Sequence, residues 1–188
     1  SNKAISGQYA PGSTYKMLVA LTALEKGAIT PENKVFCRGH VELGNARFHC
    51  WKKHGHGWMD LNGALQQSCD TYFYEIAKRV GIDAIAEMSR RFGLGSKTGI
   101  DLPGERSGLV PTAAWKKKKT GVSWQKGETL VAGIGQGFVL TTPLQLAVMT
   151  ARLATGKAVT PHLLRATVSN GDVSLVAPEE PRPIRIAP

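Results

Sequence analysis

Residues 17 to 24, "MLVALTAL", form a run of eight without a charge, bounded by Lys16 and Glu25. A helix with no polar stripe has no side to show to water and must be covered all round. The spacing predicts a helix from Thr14 to Lys26, closed by the stop signal Gly27. The rest of the chain must therefore supply elements that wrap it. With 188 residues, 42% of them hydrophobic, one substantial core and one domain are expected. No stretch of 18 apolar residues exists, so no membrane span is expected within the chain. The opening "SNKAIS" lacks the charged-then-apolar pattern of a signal peptide.

Helical periodicity recurs at Leu61 to Gln67, Thr71 to Val80 and Asp83 to Phe92, the first two hinged at Ser68-Cys69-Asp70. Thr142 as cap, with Pro143 at the first helical position, opens a further helix that Gly156 closes. Two β-prone runs around Ser169-Asn170-Gly171-Asp172 predict a hairpin, and the final "APEEPRPIRIAP" reads as extended. Residues 31 to 58 carry four of the five histidines, and they show neither helical nor strand periodicity. They are expected to be an irregular excursion. "GLGSKTGIDLPGERSG", with five glycines and a proline, reads as loop.

The net charge of +10 makes an anionic partner electrostatically possible, and the run Lys116 to Lys119 reads as a solvated basic loop. No aromatic RNA-binding signature, helix-turn-helix pattern or zinc-finger spacing accompanies it, so nucleic acid is not an expected partner. Gly133-Ile134-Gly135-Gln136-Gly137 lacks the spacing and the βαβ context of a dinucleotide site and reads instead as a close backbone crossing.

Ser13 and Lys16 are the chemically suggestive pair. Residues i and i+3 share a helix face, which brings hydroxyl and amine within reach of each other. Burial beside Met17 to Leu21 favours the neutral amine, so Lys16 can serve as base to a Ser13 nucleophile. S-x-x-K also arises by chance, and Ser123 to Lys126 is a second match in a polar stretch. Ser13 as a simple helix cap is the plain alternative. Ser68 and Asp70 flank Cys69 at a helix junction, and such a hydroxyl and carboxylate could relay a proton and orient Lys16.

"PGSTYKM", "SCDTYFYEIA", "FGLGSKTGIDLPGERSG" and "GIGQGFVLTTPLQLA", in this order, resemble the transpeptidase domain of class B penicillin-binding proteins, most of all the elongation-type penicillin-binding protein 2 subgroup. The resemblance covers nearly the whole chain. It implies an α+β fold of the β-lactamase/transpeptidase type, here a helix-rich portion with an incomplete antiparallel sheet. It also implies serine acyl-transfer chemistry, with Ser13 and Lys16 as the S-x-x-K motif and Ser68 and Asp70 as the second motif, aspartate replacing the commoner asparagine. The third motif is a K-T-G on a strand. Lys97-Thr98-Gly99 spells it but lies among glycines, so it reads as loop, and the catalytic strand is expected beyond Pro188.

The implied activity is that of a peptidoglycan D,D-transpeptidase with D-alanyl-D-alanine carboxypeptidase-like chemistry, trapped by β-lactam antibiotics. Stem peptides would be its substrates, and a membrane-embedded glycan polymerase its partner. The implied place is the periplasmic face of the bacterial inner membrane. A serine β-lactamase or β-lactam sensor is the alternative, and a non-catalytic cell-wall scaffold is a third.

The cysteines raise a separate expectation. Cys37, Cys50, His56 and Cys69 form C-x12-C-x5-H-x12-C, a Cys3His set of the kind that closes structural zinc sites. His56 lies between two glycines that let it turn inward, although His40, His49 or His54 could replace it. The alternative is a Cys37–Cys50 disulfide with Cys69 free, which the implied periplasmic setting favours.

Overall fold

The architecture comes from a computed structural model that describes residues 2–176 and 180–187. A one-turn helix α1 (Lys3–Ser6) precedes a 3-10 turn, Gly12–Tyr15, which runs directly into α2 (Lys16–Glu25). The expected helix thus begins in a tighter form. Ser13 sits inside the turn instead of capping it, and no side-chain cap closes either segment. Leu18, Val19, Ala20, Thr22 and Ala23 of α2 are all buried.

The wrapping elements follow from the hinge. α3 (Leu61–Gln66) is closed by Gln67, α4 (Asp70–Val80) begins after Ser68 and Cys69, and α5 (Ile82–Arg91) follows Gly81. Helices α4 and α5 pack on α2, and Phe73, Ile76, Ile85 and Met88 join Leu18 and Val19 in one core. Each such side chain contributes roughly 1.5–3 kcal/mol by leaving water.

The far flank of α4 is covered by α7 (Lys126–Gly133), preceded by α6 (Ala113–Thr120). These two helices correct the sequence expectation. The basic run is not a loop: Lys116 is buried, with its ammonium on the Glu128 carboxylate, while Lys117 to Lys119 face solvent. Four consecutive lysines have no apolar rhythm, so the helix is invisible to periodicity, yet lysine is a good helix former.

Residues 31 to 58 are not irregular either. β1 (Val35–Cys37) pairs antiparallel with β4 (Gly57–Met59), and β2 (His40–Leu43) pairs with β3 (Ala46–His49). Strands of three or four residues are too short to print a period-two pattern. After α8 (Pro143–Thr155), capped by Thr142 and Gln145, the hairpin β5 (Ala166–Ser169) and β6 (Asp172–Leu175) turns at Asn170-Gly171, both at positive φ, as the sequence predicts.

Of the proline-rich end, residues 182–187 run extended beside α8 and α2. There Ile184 N–H donates to Gly156 O, and Ala187 N–H donates to the Glu25 carboxylate. Ala177 to Glu179 and Pro188 lie outside the described residues. The fold is α+β, with three two-stranded antiparallel sheets among the described residues. No helix among them is long and apolar enough to cross a membrane.

The glycine-rich segments behave as read. Thr98 is buried, and its amide and hydroxyl both donate to Glu105, so Lys97-Thr98-Gly99 is a folded loop from which Lys97 points into solvent. Gly135 crosses the 3-10 turn that carries Ser13: it accepts from Gly12 N–H at 2.9 Å, and a Cβ on it would stand 2.2 Å from Gly12 O.

Candidate active site

The exposed Ser13 stands on the 3-10 turn over a cleft of about 610 Å³ lined by Ser68, Asp70, Trp51, Tyr74, His49 and Gln136, among others. Its hydroxyl accepts from Ser68 Oγ at 2.8 Å. Behind them Lys16, only 1% exposed, donates to Ser68 Oγ and Ser68 O, both at 2.9 Å, and to Asp70 Oδ1 at 2.6 Å. The Phe73 ring lies 5.5 Å from the same ammonium.

The four residues singled out in the sequence therefore meet, with one difference. None of Lys16's hydrogen bonds among the described residues goes to Ser13; the amine reaches the Ser13 hydroxyl through Ser68. A carboxylate attracts an ammonium more strongly than a neutral hydroxyl does, and Asp70 draws Lys16 toward the hinge. Ser68 itself holds φ +52°, a left-handed conformation uncommon for a residue with a Cβ. The second S-x-x-K, Ser123 to Lys126, lies outside this cleft, at the exposed entry to α7.

Cys37, Cys50, His56 and Cys69 also meet: one ligand atom from each lies within 4.8 Å of all the others. Cys37 comes from β1, His56 from the approach to β4, Cys50 from the end of β3, and Cys69 from the α3–α4 hinge. His56 Nδ1 is 3.5 Å from Cys37 Sγ and 3.6 Å from Cys50 Sγ. A tetrahedral zinc, with Zn–S near 2.3 Å and Zn–N near 2.0 Å, has S···N edges of about 3.5 Å. The donor set thus fits such an ion in type and spacing. All three thiols are free and buried. Cys50 is pushed well below the ordinary thiol range by a hydrogen bond with Cys69 and by the backbone N–H groups of Thr71, Lys52 and Asp70; Cys69 is pushed the other way.

Trp51, Tyr74 and Gln136 line the cleft without having been singled out, and His49, offered only as a substitute metal ligand, lines it too. Burial holds the Tyr74 phenol well above its usual range, and it donates to His49 O at 3.0 Å. Trp51 directly follows a predicted ligand, a signal that could have found it. Gln136 is exposed in a glycine segment taken only for its backbone.

The model of the penicillin binding protein transpeptidase domain matches residues 1–187. The chain is 44% identical over 169 residues to the peptidoglycan D,D-transpeptidase MrdA of Acinetobacter baumannii, covering 88% of this chain and 25% of that protein. It superposes on PBP2 of Pseudomonas aeruginosa, solved in complex with WCK 5153, with a TM-score of 0.89 and 39% identity over 100% of this chain and 41% of the other. A peptidoglycan synthase complex solved to describe coordinated polymerization and crosslinking gives a TM-score of 0.81 at 34% identity, over 95% of this chain and 31% of its own. The chain spans about a quarter of the length of the curated relative. A motif order that resembled one family, a matching architecture and a domain-wide match agree, and the chain belongs to the penicillin-binding protein transpeptidase domain family.

Proposed function

We propose that the chain carries the acylation machinery of a peptidoglycan D,D-transpeptidase. The observation behind this reading is the unbroken relay Ser13 Oγ, Ser68 Oγ, Lys16 Nζ, Asp70 Oδ1, with every link between 2.6 and 2.9 Å. Ser13 Oγ attacks the carbonyl carbon of the penultimate D-alanine in a stem peptide. Lys16, having passed a proton to Asp70, takes the Ser13 proton through Ser68, whose hydroxyl rotates to donate the other way. The same path returns the proton to the amine of the departing terminal D-alanine as the C–N bond breaks. An acceptor amine from a second stem peptide then displaces Ser13, forming the cross-link and restoring the hydroxyl. A β-lactam ring offers the same carbonyl and leaves Ser13 acylated.

Cys37, Cys50, His56 and Cys69 would hold a zinc ion, which when bound supplies a closed, structural four-ligand link with no open position for substrate. Cys69, between Ser68 and Asp70, makes that link part of the catalytic hinge. The setting proposed is the periplasmic face of the inner membrane, beside a glycan polymerase.

A fluorescent penicillin applied to the whole protein tests the reading. Stable labelling that Ser13→Ala abolishes is the expected result. Rapid turnover of the label would instead make the protein a β-lactamase, and absence of labelling would make it a scaffold. Elemental analysis of protein purified without chelator should find close to one zinc per chain; under a tenth of an equivalent, with Cys37 and Cys50 joined, would defeat the metal assignment.

A further inference from the structure

Trp51 is 64% exposed, so burial of its ring explains little of its presence. Both of its N–H groups are nevertheless engaged. The indole N–H is shared between Gln67 O and Ser68 O, both at 3.1 Å, and the Trp51 amide donates to Asp70 Oδ2 at 2.9 Å. Gln67 O and Ser68 O belong to the end of α3, where carbonyls have no helical partner. Ser68 O is also an acceptor of Lys16, and Asp70 offers its other oxygen to the same ammonium. Trp51 thus grips from one side the two residues that Lys16 grips from the other.

On its far side, Trp51 follows Cys50, and its ring meets the His56 ring edge-on, with centroids 5.2 Å apart. Ser68 cannot keep a left-handed backbone without support, since that conformation costs a residue with a Cβ roughly 1–2 kcal/mol.

We propose that Trp51 is a positioning residue for acylation: its indole N–H and main-chain amide fix the Ser68–Asp70 turn, through which Lys16 reaches Ser13, and fasten that turn to the Cys37, Cys50, His56 and Cys69 cluster. The proposal rests on Ser13 being acylated as described above. None of Trp51's hydrogen bonds among the described residues goes to Ser13 or Lys16, so its effect falls on the geometry of the relay and not on the supply of a reacting group.

The test is the acylation kinetics of the whole protein with a fluorescent penicillin, separating the dissociation constant of the first complex from the rate constant of acylation. Trp51→Phe removes the indole N–H while keeping a ring beside His56 and the main-chain amide. It should lower the acylation rate constant about fivefold to tenfold, the cost of one lost hydrogen bond at a geometry-sensitive turn. The dissociation constant, Tm and zinc content should stay at wild-type values, and amide exchange at Cys69 and Asp70 should quicken. Trp51→Ala should slow acylation at least as much.

An acylation rate constant in Trp51→Phe within twofold of wild type overturns the proposal. A change confined to the dissociation constant also overturns it, making Trp51 a substrate contact. Wild-type protein that is not labelled at Ser13 overturns the acyl-transfer reading and this proposal together. Labelled wild type without zinc, in which Trp51→Phe is still slow, removes only the metal and leaves Trp51 its role.

Discussion

Ser13 and Lys16 stand at the head of a helix whose inner residues Leu18, Val19 and Ala23 are wholly out of water, with Phe73 and Ile76 of α4 against them. Cys50 and Trp51 line the same cleft from the bend that follows β3, in a region of strands three or four residues long where the Phe36–Trp58 ring pair on β1 and β4 lies open to solvent. The first region is ordered by apolar burial. The second has little apolar core of its own and brings Cys37, Cys50, His56 and Cys69 to one point, closing chain segments of twelve, five and twelve residues. Cross-linking such segments lowers the entropy of the open chain, which small core-poor regions need. On the proposed function, the reacting groups come from the region held by its core, and Trp51, proposed to aim them, comes from the region that a metal bound at the cluster would hold.

The largest expected effect tests that division at the first region. Lys16→Ala should reduce acylation by more than a thousandfold, because no other amine among the described residues reaches Ser68, and it should also lower Tm. Losing the ammonium leaves the Asp70 carboxylate, 13% exposed in its side chain, buried without its cation, which costs stability. Acylation within tenfold of wild type would show that the base lies elsewhere.

Gly135→Ala should come next. The new methyl would meet Gly12 O at 2.2 Å and Tyr15 Cβ at 2.8 Å, at φ +71°. Strain and overpacking together should cost about 2–4 kcal/mol of stability, and a displaced Ser13 should acylate about a hundredfold more slowly. A variant with wild-type Tm and rate would mean that the crossing does not set the nucleophile's position.

What could be read from the sequence divides along the same line. α2 was legible because eight uncharged residues leave no other outcome, and the hinge was legible because Ser68, Cys69 and Asp70 interrupt two periodic runs. α6 and α7 were not, because Lys116 is buried by pairing with Glu128 twelve residues on, a tertiary fact without a periodic trace. The strands of residues 31 to 58 left no pattern, yet the cysteine and histidine spacing picked out all four members of their cluster. The relay was legible in membership but not in order. Helix geometry puts Ser13 near Lys16 and the hinge offered Ser68 and Asp70 to relay a proton and orient the amine, but only the fold shows that Lys16 reaches Ser13 through Ser68.

Removing metal from the whole protein with a chelator should sharpen the comparison from the second region. Hydrogen exchange should rise across residues 35–59, with α2 and the core of α4 unaffected, and acylation should slow about tenfold, within the range that loss of metal-site support produces. Exchange that rises equally in α2 would mean that one cooperative core holds both regions.

The smallest expected effect separates the two lysines that lie in catalytic-looking motifs. Lys97 belongs to a K-T-G, yet its side chain is exposed and the fold of its loop depends on Thr98 and Gly99, which donate to the two oxygens of Glu105. Lys97→Ala removes a solvated charge and should leave acylation within twofold and stability within about 0.5 kcal/mol of wild type. Glu105→Ala, made beside it, leaves the buried Thr98 amide and hydroxyl without an acceptor and should cost about 1–3 kcal/mol. A large loss of acylation in Lys97→Ala at unchanged Tm would move this loop into the chemistry and end its assignment as a structural turn.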